Sequence, residues 1–285
     1  MAAALCAATI LQLRLPDEKG DGTSSVVSET FVRDCLRYRN TLVYSKPIST
    51  EMLLTSLFLH MYYANSNQVH AATFALRDAI TSAHLLRLDD HITLESLPDG
   101  QRELRIRIFW VLFVTERTFC SHHNFPVLLQ KMDCLPNPDE NRYGASCSIV
   151  EFCKLVRLFT TTESLLPRQP TLEYVPPQPS QVKDELQVIY QNINKIAMHQ
   201  VNMPLLQEVN IQTTRAWLQS LLWQRALSNF LLDSQASEII FTPEYPFTLA
   251  KDLLGFLSKI PLQLIKPHAY AMVSRSFATP FFNLG

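Results

Sequence analysis

Residues 103–117 read ELRIRIFWVLFVTER, and this stretch decides the fold. From Ile106 to Val114 the run is apolar apart from Arg107, which is too continuous for a helix that faces water on one side. It predicts a helix over 101–119, sandwiched between neighbours, after a turn at Pro98-Asp99-Gly100. Leu104, Ile108, Val111, Leu112 and Thr115 form its buried stripe, and Phe109 and Trp110 widen it. Arg105 and Arg107 stand just before the densest part of the run, and Glu116-Arg117 closes it. A guanidinium taken into a core needs carbonyls or carboxylates around it, and Glu103, Asp78, Glu116 and Asp89 are the expected partners. Such a network would fix how neighbouring helices dock, a useful property in a two-state regulatory domain.

The rest of the chain supports an all-α fold, a multi-helix array in one large domain. Its 285 residues are enough for a substantial core, and 47% hydrophobic against 18% charged residues argues against disorder. Gly occurs six times, which suits packed helices better than turn-dense sheet architectures. Lys and Arg total 25 against 26 Asp and Glu, without a basic stripe, so the chain lacks the clustered cations that displace counterions from nucleic acid. The six cysteines contain no CxxC pair and read as buried free thiols rather than a zinc site or a disulfide scaffold. The opening MAAALCAATILQLRL lacks a positive leading region and is too short to span a membrane, so it reads as a core helix.

Helical segments follow in order. The polar stretch 17–25 reads as a loop, and from Val26 apolar residues recur at helical spacing through Tyr38. Ser49 is a candidate N-cap for a central helix over 50–64, with Glu51 in its first turn. A helix over 68–88 carries Ala71, Ala75, Ala79 and Ala83 four apart, a small-residue ridge for close packing, flanked by Phe74, Leu76, Ile80 and Leu86. Further helices are expected over 149–161, around Leu186–Ala197, over 205–232 and 247–260, and at the C-terminus. Five prolines in 166–180 mark a semi-rigid linker. The expected organisation is therefore a helical core over 1–165, a linker over 166–181 and a C-terminal helical part over 182–285 packing on the core.

The search for chemistry returns little. His122-His123 is the one adjacent histidine pair and has no ligand spacing around it. Asp89-Asp90 at a helix end lacks the third carboxylate that magnesium-assisted diphosphate chemistry needs, since Thr93 and Leu94 occupy the next turn. Nucleophile elbows, phosphate-cradling loops and dinucleotide fingerprints are absent from the sequence. No catalytic, metal or DNA-binding residues are assigned, and the chain reads as a non-enzyme without a cofactor.

The stretch from Ala72 to Leu88, then Arg105 to Phe113, Glu116-Arg117, Ser121 and Pro126 resembles the middle homology region of fungal binuclear zinc-cluster transcription factors. Trp217-Leu218-Gln219-Ser220-Leu221-Leu222-Trp223-Gln224 is similar to a helix of the regulators of starch and maltose use. Two departures stand out: the adjacent Arg pair of the family is spaced as Arg105 and Arg107, and a common Gly is Arg87. The family's N-terminal six-cysteine cluster, which holds zinc and reads DNA, has no counterpart here, so the chain is expected to begin inside the regulatory region. The resemblance implies a nuclear transcription-regulatory domain that works through protein partners: a full-length regulator, a second copy or a co-regulator. A small-molecule inducer is a further implied partner; nucleic acid and membrane are not expected. The signature residues are Arg77, Asp78, Arg105, Arg107, Phe109, Trp110, Glu116 and Arg117. The alternative function is a helical sensor, with a pocket lined by Phe113, Trp217 and Trp223 together with Phe109 and Trp110; a helical enzyme ranks behind it.

Overall fold

The computed structural model describes residues 1–13, 18–19, 25–26, 28–41, 47–137, 146–165, 178–198 and 203–265. Helices dominate, as expected for an all-α chain, and the described residues form two compact units. The first comprises Met1–Phe113 with Leu128–Cys134, and the second Val114–Val127 with Leu135–Gly285.

In the first unit, α1 (Ala2–Leu13) buries Ala4, Ala7 and Ala8, small residues that let a neighbour come close. A two-residue antiparallel ladder, β1 (Glu18–Lys19) and β2 (Ser25–Val26), pairs Glu18 with Val26 where a loop over 17–25 and a helical pattern from Val26 were expected. After α2 (Ser28–Thr41), Ser49 is extended and its hydroxyl accepts from the Met52 amide at 3.4 Å. That cap starts α3 (Thr50–Asn65) where the sequence placed it. α3 packs most extensively on α4 (Val69–Leu85), whose buried side is Ala72, Ala75, Leu76, Ala79, Ile80 and Ala83. The alanine ridge is thus a packing surface, whereas Phe74, expected beside it, is 78% exposed. α1, α2, α3 and α4 share a core that includes Ala7, Val32, Cys35, Leu59, Tyr62 and Ala75.

α4 ends on a left-handed residue. Arg87 has φ 51°; its amide donates to the His84 carbonyl, and the Leu88 amide reaches back to Ala83 at 3.1 Å. This is a Schellman-type closure, whose left-handed position is ordinarily glycine because a Cβ there crowds the backbone. The Arg87 side chain offers little in return, since its 3.7 Å approach to Asp90 is made by a side chain 73% exposed. Arg87→Gly is therefore expected to stabilise the chain by about 0.5–1 kcal/mol, after allowing for the extra freedom glycine gives the unfolded state. A raised urea midpoint at unchanged slope would show it.

The short α5 (His91–Glu95) leads to α6 (Asp99–His123). The expected turn at 98–100 is in fact the first turn of α6: the Pro98 carbonyl accepts from Gln101 and Arg102, both at 2.9 Å. Asp99 favours that start, because its carboxylate lies at the positive helix end and takes a 2.8 Å bond from Arg102. Leu104, expected in the buried stripe, is 53% exposed, and the buried side runs through Ile106, Ile108, Phe109, Trp110, Leu112 and Phe113.

The second unit begins in α6 at Val114 and is built around one helix. Its further elements are α7 (Ser146–Thr161), a 3₁₀ turn (Glu163–Leu165), α8 (Pro179–Ile196), α9 (Leu205–Ser228), a 3₁₀ turn (Ile239–Phe241), α10 (Tyr245–Leu257) and α11 (Leu262–Ile265). α9 packs against α7, α8, α10 and α11, and buries Val209, Ile211, Trp217, Leu218, Leu222 and Ala226 among others. α8 is strongly amphipathic and presents Val182, Leu186, Ile189 and Ile193 inward. α9 stops at Ser228, four residues short of the expected end, with Phe230 left-handed at φ 56°. Residues 166–177 of the expected linker and 266–285, where a terminal helix was expected, lie outside the described residues.

Candidate functional site

Every member of the expected signature in α4 and α6 is described. Arg107 Nε donates to Glu103 Oε1 at 2.7 Å, one turn back along α6, and Glu103 itself is 7% exposed. Arg105 Nη1 takes a backbone acceptor instead, the Leu86 carbonyl at 3.3 Å, the last turn of α4 having left that group open. Asp78 does not serve these two arginines. Its Oδ2 accepts from Arg39 at 2.6 Å and from the Ser56 hydroxyl, which joins α2, α3 and α4 in one polar cluster. Arg77 is half-buried on α4 and Asp89 is exposed. Phe109, Trp110 and Phe113 form a buried aromatic trio, with Trp110 edge-on to both neighbours at 5.5 and 4.9 Å. Trp110 Nε1 donates to the Cys134 carbonyl at 2.8 Å.

In the second unit, Glu116 and Arg117 are both fully buried, joined at 2.8 Å. Arg117 Nη2 also donates to Glu163 Oε1 at 3.1 Å, tying α6 to the 3₁₀ turn after α7. Burial lowers the Arg117 pKa, and the two carboxylates oppose that shift. At the end of α6, burial likewise lowers His122 and His123 below the ordinary histidine value, which holds both rings neutral at pH 7. His123 stacks with Phe125 at 5.8 Å and meets Phe119 at 4.5 Å. Among the described residues no group of three His, Cys, Asp or Glu side chains could hold a metal ion, and no helix is long and apolar enough to cross a membrane.

The second unit also contains a half-open cleft of about 330 Å³ between α8, α9 and α10. Tyr190, Arg215, Gln219, Tyr245 and Asp252 are among its polar groups, and Leu249, Leu253 and Phe256 form an apolar wall. Tyr190 and Tyr245 meet edge to face with centroids 6.0 Å apart. Burial, reinforced by neighbouring Tyr190, pushes the Tyr245 phenol far above its ordinary value, so it stays protonated. The aromatic residues expected to line a pocket are elsewhere: Trp217 packs 5.9 Å from Phe159, and Trp223 Nε1 donates to the Thr242 carbonyl at 2.9 Å. Neither they nor Phe109, Trp110 and Phe113 line this cleft.

The signature segment, with its bonded arginines and buried aromatic trio, falls inside a matched family model. Residues 3–141 match the model of the fungal specific transcription factor domain. The match runs from α1 through α6, and it includes the stretch from Ala72 to Pro126 that carried the resemblance. Over 276 residues the chain is 28% identical to a probable sucrose utilization protein of Candida albicans, covering 96% of this chain and 54% of that protein. Over 275 residues it is 22% identical to a respiratory transcription factor of Saccharomyces cerevisiae, covering 93% of this chain and 56% of that one. The chain thus spans about half the length of the curated relatives it matches. No solved structure matches.

The cleft lies beyond the matched domain, and no motif announced it. One signal was available. Gln212, Arg215 and Gln219 recur at helical spacing on α9, a polar stripe on a helix that is otherwise buried around much of its circumference. Tyr190 and Asn194, four apart on α8, continue the same pattern.

Proposed function

We propose that this chain is the regulatory part of a fungal transcription regulator that controls a metabolic gene set. On this reading it works in the nucleus through a protein partner and its state is set by an inducer or co-regulator; it neither touches DNA directly nor catalyses a reaction. The observation that carries the reading is the domain match over residues 3–141, within which the arginines and aromatics of α6 are engaged in packing and ion pairing. The relatives named for sucrose utilization and for respiration support carbon metabolism as the regulated process. The near balance of 25 basic and 26 acidic residues supports the absence of direct DNA contact.

The test fuses the whole chain to a heterologous DNA-binding domain upstream of a reporter. Output is expected to change about fivefold or more between fermentable and respiratory carbon sources, the scale of ordinary allosteric coupling. The purified chain alone is expected to leave duplex DNA unshifted at physiological salt. A reporter blind to carbon source, or sequence-selective retardation of DNA, overturns the reading.

A further inference from the structure

We propose that the cleft between α8, α9 and α10 binds a small, neutral, polyhydroxylated molecule of sugar size. The inference rests on the regulatory reading for its purpose, but not for its chemistry. The cleft measures about 330 Å³, at the small end of the range for ligand pockets, roughly 300–1,000 Å³. Its polar groups are held in place by bonds that leave part of their capacity unspent. Arg215 Nε donates to Asn194 Oδ1 at 3.1 Å and its Nη1 to Gln212 Oε1 at 3.3 Å. Gln212 is fixed in turn through its Nε2 to the Ala197 carbonyl at 3.1 Å. Gln219, only 1% exposed, donates to the same Asn194 oxygen at 2.8 Å. A guanidinium has five N–H donors and an amide oxygen two lone pairs, so after these bonds Arg215 still offers donors and Gln219 an acceptor. Such fixing lowers the ordering cost of binding.

The charges on the lining choose the ligand class. Arg215 and Asp252 both lie near enough to Tyr245 to act on its phenol electrostatically, in opposite senses. An anion would meet the Asp252 carboxylate and a cation the Arg215 guanidinium, so neither gains a field of one sign. A hydroxyl accepts from Arg215, donates to Asp252 or to the Gln219 oxygen, and carries no charge into the cleft. Several hydroxyls on one small frame would use these groups together with the Tyr190 phenol. Leu249, Leu253 and Phe256 offer the apolar wall that the C–H face of such a frame requires.

The experiment titrates the purified full chain by calorimetry and thermal shift against glucose, maltose and inositol, with alanine, glutamate and citrate as charged comparators. At least one polyol is expected to bind saturably at millimolar concentration or below and to raise the melting temperature. Asp252→Asn, at an exposed position, is expected to weaken binding about tenfold while leaving the unliganded melting temperature unchanged. Leu253→Trp, which fills the cleft, is expected to abolish binding; Asp89→Asn in the first unit is expected to leave it intact. Silence from every polyol, binding confined to the amino acids or citrate, or polyol affinity indifferent to both cleft variants overturns the proposal. A polyol that binds while the reporter ignores carbon source removes the regulatory reading and leaves the site. A responsive reporter without polyol binding does the reverse.

Discussion

Replacing Arg117 with Ala is expected to cost about 3–5 kcal/mol, the range found when one member of a buried ion pair is removed. Arg117 and Glu116 are both fully buried and bonded at 2.8 Å, and Arg117 also reaches Glu163 at 3.1 Å. Truncation deletes the guanidinium but leaves the Glu116 carboxylate inside the protein without the cation it pairs with at 2.8 Å, a costly change for a buried charge. The loss comes mainly from taking that cation away from a buried carboxylate, which gives the claim its test. The pair Arg117→Met with Glu116→Gln, which removes both charges at similar volume, should be more stable than Arg117→Met alone. Arg117→Lys should fall between wild type and Arg117→Ala: it keeps the charge but loses the planar fork that can serve two carboxylates at once. Urea denaturation followed by far-ultraviolet circular dichroism reads all four variants, with the single Ala variant melting on the order of 10 °C lower. If the double variant proves less stable than Arg117→Met, the charge argument fails and shape alone governs the site.

The Glu116-Arg117 pair also shows what could be read from sequence. Adjacent residues of opposite charge closing a long apolar run pointed to a buried ion pair, because a core helix has few other ways to hold an arginine. Ser49, the alanine ridge of α4 and the amphipathic stripe of α8 were legible for a similar reason: each is local, set by spacing along one helix. What failed to read across was tertiary. Phe74 and Leu104 looked like core and face solvent, since an apolar residue can lie at the surface and nothing in its own helix forbids it. Asp78 was expected to serve Arg105 or Arg107 and serves Arg39, a residue thirty-nine positions earlier on another helix. The cleft is the extreme case. Its Tyr190, Arg215 and Asp252 come from three helices, and their convergence is a property of how α8, α9 and α10 pack.

Trp110→Ala carries the other large effect, a loss of about 3–5 kcal/mol expected from deleting a buried aromatic ring. The ring is 1% exposed, edge-on to Phe109 and Phe113 with centroids 5.5 and 4.9 Å away, so its removal opens a cavity between two side chains that are themselves buried. It also deprives the Cys134 carbonyl of the 2.8 Å bond from Nε1, a contact that links α6 to a segment twenty-four residues further along the chain. The two contributions can be separated. Trp110→Phe keeps most of the ring volume and drops the donor, and it should cost about 1–2 kcal/mol, the scale of one buried hydrogen bond with modest repacking. Trp110→Leu keeps neither the donor nor the edge-to-face geometry and should approach the Ala value. Hydrogen exchange offers a local readout, because amides in residues 128–134 should lose protection in Trp110→Phe if the Nε1 bond holds that segment down. Unchanged exchange there, with stability lost all the same, would assign the whole effect to ring packing and none to the bond.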